Sequence, residues 1–94
     1  MEKKIETYLC KSVKAAGGRA LKLVCPGTSG VPDRLILLPG GRAFFAETKD
    51  AGKKPTEKQK YRHQQLRALG FRVYVPDNTA AVDEMLRIEE ASPP

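Results

Sequence analysis

Apolar residues near the N-terminus recur at helical spacing. Ile5, Leu9, Val13 and Ala16 share one side, with Tyr8 beside them, which predicts an amphipathic helix over residues 2–16. Gly17-Gly18 stops it. Residues 19–25 (RALKLVC) alternate like a half-buried strand, and PGTSGVP is a loop rich in Gly and Pro. Residues 33–38 (DRLILL) form a short, almost wholly apolar strand. Pro39-Gly40-Gly41 is a turn, and residues 42–49 (RAFFAETK) read as the returning strand of a hairpin. A polar, Lys-rich loop follows at 50–55. Thr56 is a good helix N-cap with Gln59 three residues later, as in a capping box. That helix runs to about Leu69 and ends at Gly70. Residues 71–75 (FRVYV) are another strand. After Pro76-Asp77-Asn78 a last helix covers about 79–90, with Val82, Met85 and Leu86 on one side. The tail from about 90 to 94 is expected to fray.

The predicted order is α-β-β-β-α-β-α in a single domain spanning 1–94. Alternating helices and strands in one short chain imply an α/β fold, a mixed sheet flanked by helices. The hairpin makes part of the sheet antiparallel, and the helix between residues 49 and 71 permits a parallel crossover.

Hydrophobic residues are 40% of the chain and charged residues 30%, which suits a globular fold rather than disorder. No apolar run approaches the roughly 20 residues of a membrane span. The N-terminus, MEKKIETYL, lacks the apolar stretch of a secretory signal, so a cytoplasmic location is expected. Cys10 and Cys25 form no CxxC pair and His63 is the sole histidine, which argues against a zinc site and for reduced thiols. The formal net charge is +6. That favours a polyanionic partner, since Lys and Arg that neutralise phosphates release counterions. No helix combines a basic face with a large apolar one, so a membrane surface is not expected.

Three polar residues interrupt the pattern. Asp33 opens an apolar strand, and Glu47 and Lys49 close the next. Strand side chains alternate, so Glu47 and Lys49 project from one face, and a tight hairpin brings Asp33 beside Glu47. Two carboxylates and an ammonium would converge at one hairpin end. Mg²⁺ takes oxygen ligands, commonly one or two carboxylates plus water and substrate phosphate, so the group suits a hard cation. Polar strand ends are common, and an isolated Glu-x-Lys would count for little. The combination with a Pro-Asp step thirteen residues earlier is rarer.

Gly30-Val31-Pro32-Asp33-Arg34 followed by Glu47-Thr48-Lys49 resembles the PD-(D/E)xK nuclease signature. More narrowly, it is similar to the virus-type replication-repair nuclease (VRR-NUC) domain, in the small form found in phages. The similarity runs from about residue 2 to 76 and includes the Gly-rich turn, the Lys/Pro loop and an early helix Gln, here Gln59. The resemblance implies a restriction-endonuclease-like core and metal-dependent hydrolysis of phosphodiester bonds in DNA. It implies Asp33 and Glu47 as metal ligands with the Thr48 backbone carbonyl as a third, Lys49 as the catalytic lysine, and Mg²⁺ or Mn²⁺ as cofactor. It further implies a structure-selective endonuclease like Holliday-junction resolvases, acting on branched duplex DNA as a homodimer in a bacterial or phage-infected cell.

Other residues are less distinctive. Glu2 lies roughly 45° from the apolar stripe of the first helix and Glu6 roughly 85° at 100° per residue, so Glu2 is the better additional acidic ligand, unless it merely suits the helix dipole. Gln59 has two readings, the cap and a phosphate- or Lys49-directed role, which one side chain cannot serve fully at once. Lys53, Lys54 and Lys58, with Lys60, Arg62 and Arg34, are candidate DNA contacts or else solvated charge. His63 reads as a surface group rather than a general base. A homodimer would draw on Leu35–Leu38 with its turn, or on the last helix through Met85 and Ile88. The rival readings are a non-catalytic basic DNA-binding module, which needs no Asp33, Glu47 and Lys49 at one hairpin end, and a flap or end nuclease.

Overall fold

A computed structural model describes residues 2–92, apart from the side chain of Glu2. Among the described residues the elements are α1 (Glu2–Ala15), β1 (Arg19–Lys22), β2 (Arg34–Leu38), β3 (Arg42–Ala46), α2 (Glu57–Ala68), β4 (Val73–Tyr74) and α3 (Thr79–Ala91). The order is the expected one, with shorter strands. β1 ends at Lys22. Leu23 still donates its amide to the Asp33 carbonyl at 2.9 Å, but Val24 is 70% exposed and the chain leaves the sheet toward Pro26.

The strands lie in the order β1-β2-β3-β4. β1, β2 and β3 pair antiparallel, and β4 joins β3 in parallel after the α2 crossover. The β2–β3 turn uses Gly40 at φ 88° and Gly41 at φ 76°, a left-handed backbone that side chains with a Cβ adopt only at a cost.

Alternation sorts the sheet into two faces. Ile36, Leu38, Phe44 and Ala46 form one core with Ile5, Leu9 and Val13 of α1 and Val82, Met85 and Leu86 of α3. Each fully buried Leu, Ile or Phe there stabilises by roughly 1.5–3 kcal/mol. The Tyr8 hydroxyl donates to Asp83 at 2.7 Å and ties α1 to α3.

On the other face Phe45 meets Phe71 edge to face, with centroids 5.9 Å apart, and α2 packs nearby. Its sequence, EKQKYRHQQLRA, has no apolar stripe. Among the described residues its one buried side chain is His63. The expectation of a surface histidine is therefore wrong. With so few apolar residues, the wheel of this helix does not reveal which side faces the sheet.

One further expectation is corrected. β2 lies between β1 and β3, and Ile36, Leu38 and Met85 are core residues, so these supply little interface. Ile88 of the expected interface is exposed, and further exposed apolar side chains stand at Leu21, Val24, Leu69 and Phe71. α3 continues to Ala91, and the Ser92 carbonyl accepts from the Arg42 guanidinium at 2.8 Å. Pro93 and Pro94 lie outside the described residues.

Arg42 also donates to the Glu89 carbonyl at 2.8 Å. The Glu89 carboxylate, 1% exposed, accepts two hydrogen bonds from Arg72, at 2.6 and 2.8 Å, and one from the Tyr74 hydroxyl at 2.6 Å. Burial alone would raise its pKa. The bonds from Arg72 and Tyr74, with the charges of Arg72 and Arg42, outweigh that and hold it below the usual carboxylate value. Tyr74 is pushed up to about 12, by burial first and then by Glu89.

Candidate active site

The site is built at the end of the β2–β3 hairpin away from its turn. The register pairs Arg34 with Ala46, and one step further it sets Asp33 opposite Glu47. The segment after β3 stays anchored to the sheet. Glu47 donates its amide to the Tyr74 carbonyl at 2.9 Å, and Lys49 donates to the Pro76 carbonyl at 3.1 Å. Residues 47–49 thus continue the extended path expected of 42–49, although β3 itself closes at Ala46.

Glu47 is 1% exposed and Thr48 fully buried. Lys49 projects from the same face as Glu47, and its Nζ lies 3.7 Å from Glu47 Oε2. On the other oxygen, His63 Nε2 of α2 lies 3.4 Å from Oε1. The His63 pKa is lowered, first by burial and then by the charges of Arg67 and Lys49, so the ring is neutral near pH 7. A neutral imidazole contacts the carboxylate without adding a positive charge.

Glu47 contributes two carboxylate oxygens here, beside the nitrogens of Lys49 and His63. Among the described residues no three His, Cys, Asp or Glu side chains form a group able to hold a metal ion. An ion bound to Asp33 and Glu47 would complete its shell with backbone oxygen, water and substrate phosphate, which is the habit of Mg²⁺. Continued two steps past the Arg34–Ala46 pair, the antiparallel register would set Thr48 opposite Pro32, which has no N–H to donate to the Thr48 carbonyl. The residues thus fit a hard divalent cation.

The remaining sequence candidates are distributed around this corner. Glu2 lies outside the described side chains. Glu6 is paired with Arg34 Nη2 at 3.3 Å, and Arg34 Nη1 also donates to the Ala20 carbonyl at 3.2 Å. Arg34 thus ties α1 and β1 to the start of β2. Gln59 forms the capping box: its Oε1 accepts from the Thr56 amide at 2.8 Å while Thr56 Oγ1 accepts from the Gln59 amide at 3.2 Å. It stands one helical turn before His63. Lys53, Lys54 and Lys58 are exposed. Lys60 lies 3.4 Å from Glu57. Arg62 stacks over Tyr61 and donates to the Ser29 carbonyl at 3.1 Å.

Gly30 brings the Pro-Asp loop close against this basic helix. It sits at φ +80°, and a Cβ there would lie 2.5 Å from the Lys58 carbonyl oxygen. Only glycine allows this approach of the two backbones. Sequence reasoning identifies Gly30 in the motif and misses its partner, along with His63. The i, i+4 spacing of Gln59 and His63 is the available signal for the inward side of α2.

No protein-family model matches the chain. It is 48% identical over 77 residues to a phage protein named "Putative nuclease p44", from Acyrthosiphon pisum secondary endosymbiont phage 1. The match covers 82% of this chain and 83% of that protein. A solved structure described as a VRR_NUC domain superposes with a TM-score of 0.87 at 34% identity, covering 92% of this chain and 94% of its own.

Proposed function

The chain belongs to the VRR-NUC family of nucleases, and from that premise we propose that it is a Mg²⁺-dependent DNA endonuclease acting at the Asp33, Glu47 and Lys49 corner. The observation that carries this reading is the Lys49 ammonium 3.7 Å from the buried Glu47 carboxylate, at the hairpin end where the register, continued one step past the Arg34–Ala46 pair, would set Asp33 opposite Glu47. A basic DNA-binding module would need the lysines but no such group.

Asp33, Glu47 and the Thr48 carbonyl would hold the cation, with Glu2 as a further acidic ligand and Mn²⁺ as a substitute for Mg²⁺. The bound cation supplies Lewis-acid activation of the scissile phosphate and of the attacking water. Lys49 holds a positive charge beside Glu47, where it can stabilise the charge that develops on the phosphate. Lys53, Lys54 and Lys58 stand exposed on the loop and helix that follow, suited to neighbouring phosphates along the backbone. Gln59 acts by capping the helix that carries Lys58.

We assign branched duplex DNA as the substrate and a two-fold homodimer as the working form. A junction with two symmetric strands to cut is matched by two copies of one site. Leu66, Ala68 and Leu69 line one shallow depression, and Leu69 is 73% exposed, which offers apolar surface for such pairing. The test is a panel of labelled four-way junctions, flaps, nicked duplexes and linear duplexes, incubated with Mg²⁺ and with chelator, alongside light scattering. Paired symmetric cuts in junctions by a dimer support the reading. A monomer that cuts only flaps or ends would replace it with the flap-nuclease alternative.

A further inference from the structure

The contact between α2 and Glu47 is not explained by packing alone. A helix with so little apolar surface gains stability most readily by burying a leucine against the sheet. Here the inward position is His63, 2% exposed. A buried polar group costs stability unless it finds a hydrogen-bond partner. The polar group it faces is Glu47 Oε1, 3.4 Å from Nε2. The distance is long for a hydrogen bond, as contacts in active sites often are before substrate and cofactor bind.

The two oxygens of Glu47 are thus approached from different elements. Oε1 faces α2 through His63, and Oε2 faces Lys49 of its own extended segment. A carboxylate side chain rotates readily about its terminal bond, and contacts to both oxygens restrict that rotation. An apolar residue at position 63 would fill the same space without an N–H to direct the carboxylate. The N-terminal half of α2 also carries the exposed Lys58 and abuts Gly30 of the Pro-Asp loop. The same contact therefore fixes the carboxylate relative to the basic surface.

We propose that His63 is a positioning residue, whose Nε2–H donates to Glu47 Oε1 and orients this carboxylate for the divalent cation. The inference rests on the cation reading of the site. Groups that orient metal-binding carboxylates typically change metal affinity or activity by about 10- to 100-fold when removed.

The test uses the whole chain with Mn²⁺ as the probe. Its affinity is measured by electron paramagnetic resonance or calorimetry without DNA, and cleavage is measured separately. His63→Leu and His63→Met should fold with a Tm at or above that of the wild type. Both should lose about 10- to 100-fold in Mn²⁺ affinity and a comparable factor in cleavage rate. His63→Gln, which presents an amide N–H at the Nε2 position, should recover most of both, and metal-free DNA binding should stay unchanged in all three. Nitrogen NMR of the wild-type ring should show the Nε2–H tautomer, with a signal that shifts in Glu47→Gln. This spectrum needs no folded His63 variant. An Nδ1–H tautomer, or wild-type Mn²⁺ affinity in the two apolar variants, would overturn the proposal while leaving the cation site intact. A wild-type protein whose Mn²⁺ affinity does not depend on Glu47 would overturn the cation reading, and this inference with it.

Discussion

Glu47 is a buried carboxylate just beyond the apolar strand β3, and it is met by Lys49 and by His63 of α2. Thr48 beside it separates side-chain from backbone roles. Its hydroxyl is buried without a hydrogen-bond partner among the described residues, whereas the cation reading asks only for its carbonyl. Replacing an unsatisfied buried hydroxyl by a methyl of the same shape is neutral or stabilising. Thr48→Val should therefore raise stability by about 0–2 kcal/mol in urea unfolding and keep cleavage within about twofold, a span of roughly 0.4 kcal/mol. A large loss of activity with intact stability would mean that the hydroxyl itself takes part. Asp33, Glu47 and Lys49 were legible because each breaks an apolar run whose period is plain. His63 was not, because a helix without an apolar stripe gives no reference direction against which a buried polar residue stands out.

Among the elements, α3 is held to the sheet by a charge buried near its end. Glu89 carries a lowered pKa, and its bonds come from Arg72 beside β4 and Tyr74 within it. A carboxylate whose folded pKa lies below its unfolded value stabilises the fold above the unfolded value, near 4.5. That contribution is lost as pH falls through the folded pKa, still lower. Glu89→Gln should cost about 1.5–3 kcal/mol near pH 7. The gap in Tm between wild type and variant should close as pH drops below about 4.5, which thermal scans from pH 7 to 3 would show. A gap that stays constant would mean that packing, not charge, is lost. This clamp was hidden in the sequence, since Glu89 reads there as one more acidic residue of a charged helix end. The hairpin was legible, because two apolar runs flank a Pro-Gly-Gly turn. The end of β1 was not: Leu23, Val24 and Cys25 continue the apolar pattern, yet Val24 is 70% exposed, and nothing local distinguishes an apolar strand end from an apolar loop.

For the whole molecule, the net charge of +6 bears on how DNA is held, and the carboxylates bear on whether it is cut. If Lys53 and Lys54 grip phosphates, replacing both by Ala should weaken binding to all sequences. It should also flatten the plot of log affinity against log salt, by up to about 0.9 for each phosphate no longer neutralised. Filter binding or fluorescence anisotropy over a salt series reads this directly, and an unchanged slope would make the loop solvated charge. On the proposed reading, one corner of the sheet, built from Asp33, Glu47 and Lys49, cuts DNA with the help of a divalent cation. The most direct measurement is single-turnover cleavage of a labelled branched DNA by wild type and by Glu47→Gln, each with Mg²⁺ and with excess chelator, with DNA binding measured in parallel. The expected result is cleavage by the wild type with Mg²⁺ alone, a fall of at least about 100-fold in the variant, and equal DNA binding by both proteins in chelator. Undiminished cleavage in chelator, or by Glu47→Gln, would rule out this cation-dependent site.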